Sequence, residues 1–125
     1  MKILITGGDG QVGTYLKYIC DQQSLLYAAL NKTELNITNK QNIYSSIESF
    51  NPSIIVNAAA YTNVEKAEEE KFLATAVNAT GPKNLAEICD ELSIPLIHIS
   101  TDYVFDGKKG KPYNESDQTN PINTY

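Results

Sequence analysis

Gly7, Gly10 and Gly13 stand three residues apart, at the junction of two different hydrophobic patterns. Before them, Lys2-Ile3-Leu4-Ile5-Thr6 is a short apolar run with the β-branched content of a buried strand. After them, Val12, Leu16, Ile19 and Cys20 share one face of a helix predicted from Gln11 to Asp21. A chain that passes from strand to helix through such a turn has few ways to fold. The first glycine permits a tight turn, the second lets a ligand approach the backbone, and the third lets helix and strand pack closely. The amides around Gln11 and Val12 then point outward at the positive end of the helix dipole, where phosphate groups bind. A glycine triplet alone is a weak signal; a strand before it and a helix after it make it a dinucleotide-binding fingerprint.

The same alternation continues along the chain. Ser24 to Leu30 reads as a second strand, weakened by Ala28 and Ala29. Thr38-Asn39 starts a helix to Phe50 with Ile43, Ile47 and Phe50 inward, and Asn51-Pro52 breaks it. Ser53 to Asn57 is a third strand, built on Ile54-Ile55-Val56. A helical region runs from Lys71 to Leu92 and should bend or restart at Gly81-Pro82. Leu96 to Ser100 is a fourth strand, followed by a polar, exposed loop from Lys108 onward. Strands separated by helices require right-handed crossovers and a parallel sheet covered on both faces. The expected class is therefore a Rossmann-type doubly wound α/β/α sheet, incomplete, with strand order 3-2-1-4. Ligands are expected at the carboxyl ends of strands 1 and 4.

The 125 residues make one domain or part of one. Ten basic against fifteen acidic residues give a net charge of −5, which argues against nonspecific nucleic-acid or anionic-membrane binding. No signal peptide is visible, and no segment approaches the ~20 apolar residues of a membrane span. Cys20 and Cys89 fit no metal spacing and read as buried free thiols of a cytoplasmic protein. His98, alone in an apolar run, reads as a strand residue.

Several positions carry candidate chemistry. At the end of strand 2, where an acid would read the ribose of NAD, stand Asn31 and Lys32. Lys32 either neutralises a 2′-phosphate, which tilts the reading towards NADPH over NADH, or is a solvated loop lysine. Asn57-Ala58-Ala59-Ala60 either lets a cofactor lie against the backbone or serves close helix–sheet packing. Glu65, Glu68, Glu69 and Glu70 read as a solvated helix start and not as metal ligands. Ser100-Thr101 places hydroxyls at the end of strand 4, within reach of a carbonyl oxygen. Tyr125 is a candidate proton donor, and a tyrosine with an ordinary pKa of about 10 needs a nearby cation to act near neutrality.

Three runs together resemble the dTDP-4-dehydrorhamnose reductase family, within the extended short-chain dehydrogenase/reductase superfamily. They are Gly10-Gln11-Val12-Gly13, Val56-Asn57-Ala58-Ala59-Ala60-Tyr61-Thr62 and Ser100-Thr101-Asp102-Tyr103-Val104-Phe105-Asp106-Gly107. The first marks only the superfamily; the last is far more specific. The resemblance implies NAD(P)H-dependent reduction of the 4-keto group of dTDP-6-deoxy-L-lyxo-4-hexulose to dTDP-L-rhamnose. It implies that Thr101 holds the substrate oxygen and that Tyr125 is the tyrosine of a Tyr-x-x-x-Lys motif. Thr62, Val64, Asp102 and Tyr103 would line the sugar side, and Gly7, Gly10, Gly13, Asn57 and Ala59 would contact cofactor. The motif's lysine falls outside this chain, so the resemblance implies an inactive front part without its substrate-binding portion. Strand 4 would then be an open edge through which the chain self-associates, most simply as a dimer. The alternatives are a noncatalytic NADP-binding subunit like the regulatory subunit of methionine adenosyltransferase, or another nucleotide-sugar reductase or epimerase of the superfamily.

Overall fold

A computed structural model describes residues 1 to 125. Strands β1 (Lys2–Thr6), β2 (Leu26–Leu30), β3 (Ile54–Asn57) and β4 (Leu96–His98) form one parallel sheet. Between them lie α1 (Gln11–Gln22), α2 (Lys40–Phe50), α3 (Val64–Ala67), α4 (Lys71–Thr75) and α5 (Gly81–Glu91).

The doubly wound three-layer class stands, but the strand order does not. The sheet runs β2-β1-β3-β4, where 3-2-1-4 was expected. Burial explains the difference. The run Ile54-Ile55-Val56 has apolar partners on both faces: Ile55 packs with Leu4, and Val56 with Ile3 and Ile5. A strand buried on both sides belongs in the sheet interior, beside β1. The alanine-bearing β2, only partly buried, takes the edge. The reversal of strand order therefore falls between β1 and β3, and the ligand-binding crevice with it.

This order also assigns the helices. The step from β1 to β2 runs one way across the sheet, and the steps to β3 and β4 run the other way. Right-handed crossovers then put α1 on one face and both α2 and α5 on the other. The cores agree. Leu4 and Ile55 share a cluster with Ile43 and Ile47 of α2 and with Leu85, Ile88 and Cys89 of α5. Ile3, Ile5 and Val56 share a smaller one with Cys20 of α1. Both cysteines are buried and free.

Element ends shift for local reasons. Ser24 has a left-handed φ of 51° and closes the turn after α1, so β2 begins only at Leu26. Asn39 caps α2 by accepting a hydrogen bond from the Asn42 amide at 3.2 Å, and left-handed Asn51 ends it. The helical region restarts at Gly81-Pro82, as the sequence suggests. Residues Ala76–Thr80 form a π-helical turn, and α5 starts at Gly81 with Pro82 in its first turn, where a missing amide costs nothing. No helix is long and apolar enough to cross a membrane.

Candidate functional site

The carboxyl ends of β1 and β3 are tied together. Thr6 donates its hydroxyl to Asn57 Oδ1 at 2.5 Å, and the same oxygen accepts from the Ala59 amide at 3.2 Å. With that oxygen an acceptor, the Asn57 amide nitrogen donates to His98 Nδ1 at 2.9 Å. His98 is a strand residue that bridges β4 to β3. Asn57 is 1% exposed, and its side chain is occupied by scaffold contacts.

The glycine turn sits on this platform. Gly7 has a φ of +66°, and a Cβ on it would lie 2.7 Å from Ala59 Cα. A Cβ on Gly13 would run into the Gly7 oxygen and come within 2.8 Å of Gly8 Cα. Gly10 differs. Its backbone is extended, and its nearest neighbour would be the Gly7 oxygen at 3.3 Å. Gly10 is the N-cap of α1 and offers no side-chain acceptor, so the first-turn amides at Gln11 and Val12 have no partner within the chain.

A cleft of about 610 Å³ opens over these amides. Gly7, Gly10, Gln11 and Val12 form one side; Ala58, Ala59, Ala60 and Thr62 form another. The alanines therefore serve both purposes: they give the Gly7 turn its close backbone approach and they line the cleft. Lys32 lines the cleft and forms none of the chain's ion pairs. Asn31 does not line it. Its Oδ1 accepts from the Thr33 amide and hydroxyl and from the Glu34 amide at 2.7 to 3.2 Å, closing the turn that presents Lys32.

Other lining residues were not foreseen. Leu35, Asn36 and Ile37 form the remaining wall, and Val77 and Asp9 complete it. Ile37 is held by the Asn84 side chain, which donates to its carbonyl at 3.2 Å, and by the absence of a Cβ on Gly81, which would stand 2.6 Å from Ile37 Cδ1. The alternation Leu35-Asn36-Ile37 was the available signal, hidden because the segment pairs with no strand.

The expected sugar-side residues form a second group. The π-helical turn presents Asn78, whose side chain accepts from the Tyr61 amide at 2.8 Å and donates to the Tyr61 carbonyl at 3.0 Å. The same amide nitrogen lies 3.3 Å from the Tyr125 main-chain oxygen. The Tyr125 ring meets Tyr103 edge-on, with centroids 5.4 Å apart. Thr101 Oγ1 accepts from the Tyr103 amide at 3.2 Å and starts the 3₁₀ turn Asp102–Val104. Val64 opens α3, capped by Asn63. Thr62 and Val77 border the cleft and adjoin Tyr61 and Asn78 in the chain, so the two groups meet there. Thr101, Val64, Asp102, Tyr103 and Tyr125 stand outside the cleft over the glycine turn.

Charges around this second group are paired. Tyr61 donates to Glu70 at 2.9 Å, and burial followed by that bond pushes its pKa up. Lys66, then Tyr61, holds the Glu70 carboxyl below its usual range. Glu68 is lowered chiefly by the Thr124 amide that it accepts. Glu68 and Glu70 thus do more than solvate a helix start.

The sheet order, the glycine turn and the cleft define a domain of the Rossmann-type class. The family described as RmlD substrate binding domain matches residues 1–125, and the chain belongs to it. A dTDP-4-dehydrorhamnose reductase of Aggregatibacter actinomycetemcomitans is 45% identical over 99% of this chain and 42% of its own length. The crystal structure of a dTDP-4-dehydrorhamnose reductase from Clostridium acetobutylicum superposes with a TM-score of 0.94 at 38% identity, over 100% of this chain and 45% of that one. One from Bacillus anthracis in complex with NADP gives 0.93 at 36% identity, over 99% and 44%. The chain thus spans less than half the length of these relatives.

Proposed function

We propose that this chain is the cofactor-binding part of an NADPH- or NADH-dependent reductase of the 4-keto group of dTDP-6-deoxy-L-lyxo-4-hexulose, yielding dTDP-L-rhamnose. The observation that carries the reading is the cleft over the uncapped start of α1, where Gln11 and Val12 amides lie free beside Gly10. Amides at a helix start take a pyrophosphate without any lysine. The residues fit an extended dinucleotide: Gly10 and the small Ala58-Ala59-Ala60 wall leave room along the backbone, and Lys32 supplies a cation for a 2′-phosphate. The nicotinamide, when bound, supplies the hydride.

The chain's own residues would supply the rest. Tyr125 would give its hydroxyl proton to the developing alkoxide at the sugar's C4. Thr101 would donate a hydrogen bond to that same oxygen. Thr62, Val64, Asp102 and Tyr103 would flank the sugar. Asn57 serves indirectly, by fixing the loop that carries Ala59. The substrate-binding part is proposed to lie outside these residues, in keeping with the share of the relatives that they cover. The free buried thiols suit a cytoplasmic setting. Strand β4 pairs on one side only, and Ile97 and Ile99 are 49% and 46% exposed, which supports self-association along this edge.

Titration calorimetry with NADPH and NADH tests the cofactor reading. Weak binding of the adenosine half is expected. Absence of binding of both cofactors at millimolar concentration would remove the basis of the proposal.

A further inference from the structure

Glu68 lies at the C-terminal end of α3 and uses both carboxylate oxygens on one distant residue. Oε1 accepts from the Thr124 main-chain amide at 2.6 Å, and Oε2 accepts from the Thr124 hydroxyl at 2.9 Å. The two residues are 56 positions apart in sequence. Lys71 Nζ, from α4, stands 3.5 Å from Oε2. The neighbouring Glu70 is engaged elsewhere, with Lys66 and Tyr61, and Glu69 makes no side-chain contact of this kind. Within the acidic run, one carboxylate faces the 106–125 segment.

What that bond holds is the residue next to it. Tyr125 follows Thr124 directly, and its own main-chain oxygen receives the Asn78 amide at 3.3 Å. The main chain at Tyr125 is thus held by one hydrogen bond from each side. The edge-on contact with Tyr103 then selects the direction of the ring. A carboxylate that accepts two hydrogen bonds in a fixed fork adds geometric restraint beyond its energy. The Glu68 side chain is 47% exposed, so its contribution to overall stability is small. Its effect is on where Tyr125 stands.

We propose that Glu68 is a positioning residue for Tyr125, acting through its two-point hold on Thr124. The inference rests on reading Tyr125 as the hydroxyl donor, but its test does not depend on that reading. In nuclear magnetic resonance spectra of the chain, Glu68→Ala should abolish the cross-peaks between the Tyr103 and Tyr125 rings. Hydrogen exchange of the Thr124 amide should quicken by roughly tenfold or more. Exchange of the β1 amides should stay as in the unmodified chain, which shows that the fold is intact. Thr124→Ser should keep both the cross-peaks and the protection. Thr124→Val should retain the main-chain bond alone and fall between. Ring cross-peaks and Thr124 protection that survive Glu68→Ala would overturn the proposal, as would a Thr124→Ser variant that behaves like Glu68→Ala. If the cross-peaks vanish as expected and neither cofactor binds, the positioning stands while the reductase reading falls.

Discussion

Thr6 and Asn57, the last residues of β1 and β3, are register partners whose side chains share a buried hydrogen bond of 2.5 Å. The bond lies where the strand order reverses, under the turn that begins at Gly7. Asn57→Ala would leave the buried Thr6 hydroxyl without its acceptor and His98 Nδ1 without its donor, while the Ala59 amide keeps Thr6 Oγ1 at 3.3 Å. Stability should fall by about 2 kcal/mol, since unsatisfied buried polar groups cost roughly 1–3 kcal/mol each and some will find water. Urea unfolding should show this as a lower midpoint with an unchanged slope.

The glycines of the turn should separate folding from binding. Gly13→Ala puts a methyl against the Gly7 and Gly8 backbone, which cannot yield cheaply, and should destabilise the fold by about 2 kcal/mol. Gly10→Ala meets its nearest atom only at 3.3 Å and keeps an ordinary backbone conformation. It should melt near the unmodified chain yet lose on the order of tenfold in cofactor affinity, because the backbone can no longer approach the pyrophosphate. Gly10→Val should abolish binding. Paired melting curves and titrations check both.

Lys32→Ala should weaken NADPH by roughly fivefold and leave NADH unchanged, the effect of one exposed ion pair. The difference should shrink with added salt. Equal losses for both cofactors would place Lys32 away from the 2′-phosphate.

Asp106 organises the polar loop. Its carboxylate accepts from the Lys108 amide, the Asn120 side chain and the Tyr113 hydroxyl, and these bonds, the first being the largest, lower its pKa to about 2. An aspartate in an unfolded chain titrates near pH ~3.9. A lowered folded value means that the stabilisation is present above the unfolded pKa and is lost as pH falls through the folded one. The loop should therefore loosen between about pH 4 and pH 2, seen as faster exchange of the Lys108 amide after correction for intrinsic rates. Asp106→Asn should flatten that dependence.

The open side of β4 should make the chain associate, with light scattering rising over a concentration series. Ile97→Lys should suppress this, because a charge on an edge strand opposes pairing. A monomer at every concentration would remove the basis for self-association.

Most of the fold was legible because its signals are local. The glycine turn, the Ile54-Ile55-Val56 run and the stripe of α2 each specify an element within a few residues. The strand order was not, because it depends on which strand is buried on both faces, a property of the assembled sheet. The cleft was half legible. Gly10, Gln11, Val12 and the alanines follow from spacing, and Lys32 from its place after β2. Leu35 to Ile37 escaped because they enter the site from a segment held by Gly81 and Asn84, which lie more than forty residues further on. Asn31 and Asn57 were read as contacts where the structure gives them scaffold roles. Glu68 was hidden among its acidic neighbours, since only the fold reveals which carboxylate faces Thr124.

The first strand of the chain lies in the middle of its sheet, and this sets a timetable. During synthesis β1 is made first, but one of its flanks must wait for β2 and the other for β3, whose final residue comes 51 positions after Thr6. Until then the glycine turn has no floor of alanines beneath it. On the proposed reading, a growing chain could not hold a cofactor until Ala59 has emerged, and such a ligand could not draw the N-terminal segment alone towards its folded form. Binding therefore rewards only a chain that has closed its longest early loop, and the first strand stays dependent on residues that the ribosome has yet to deliver.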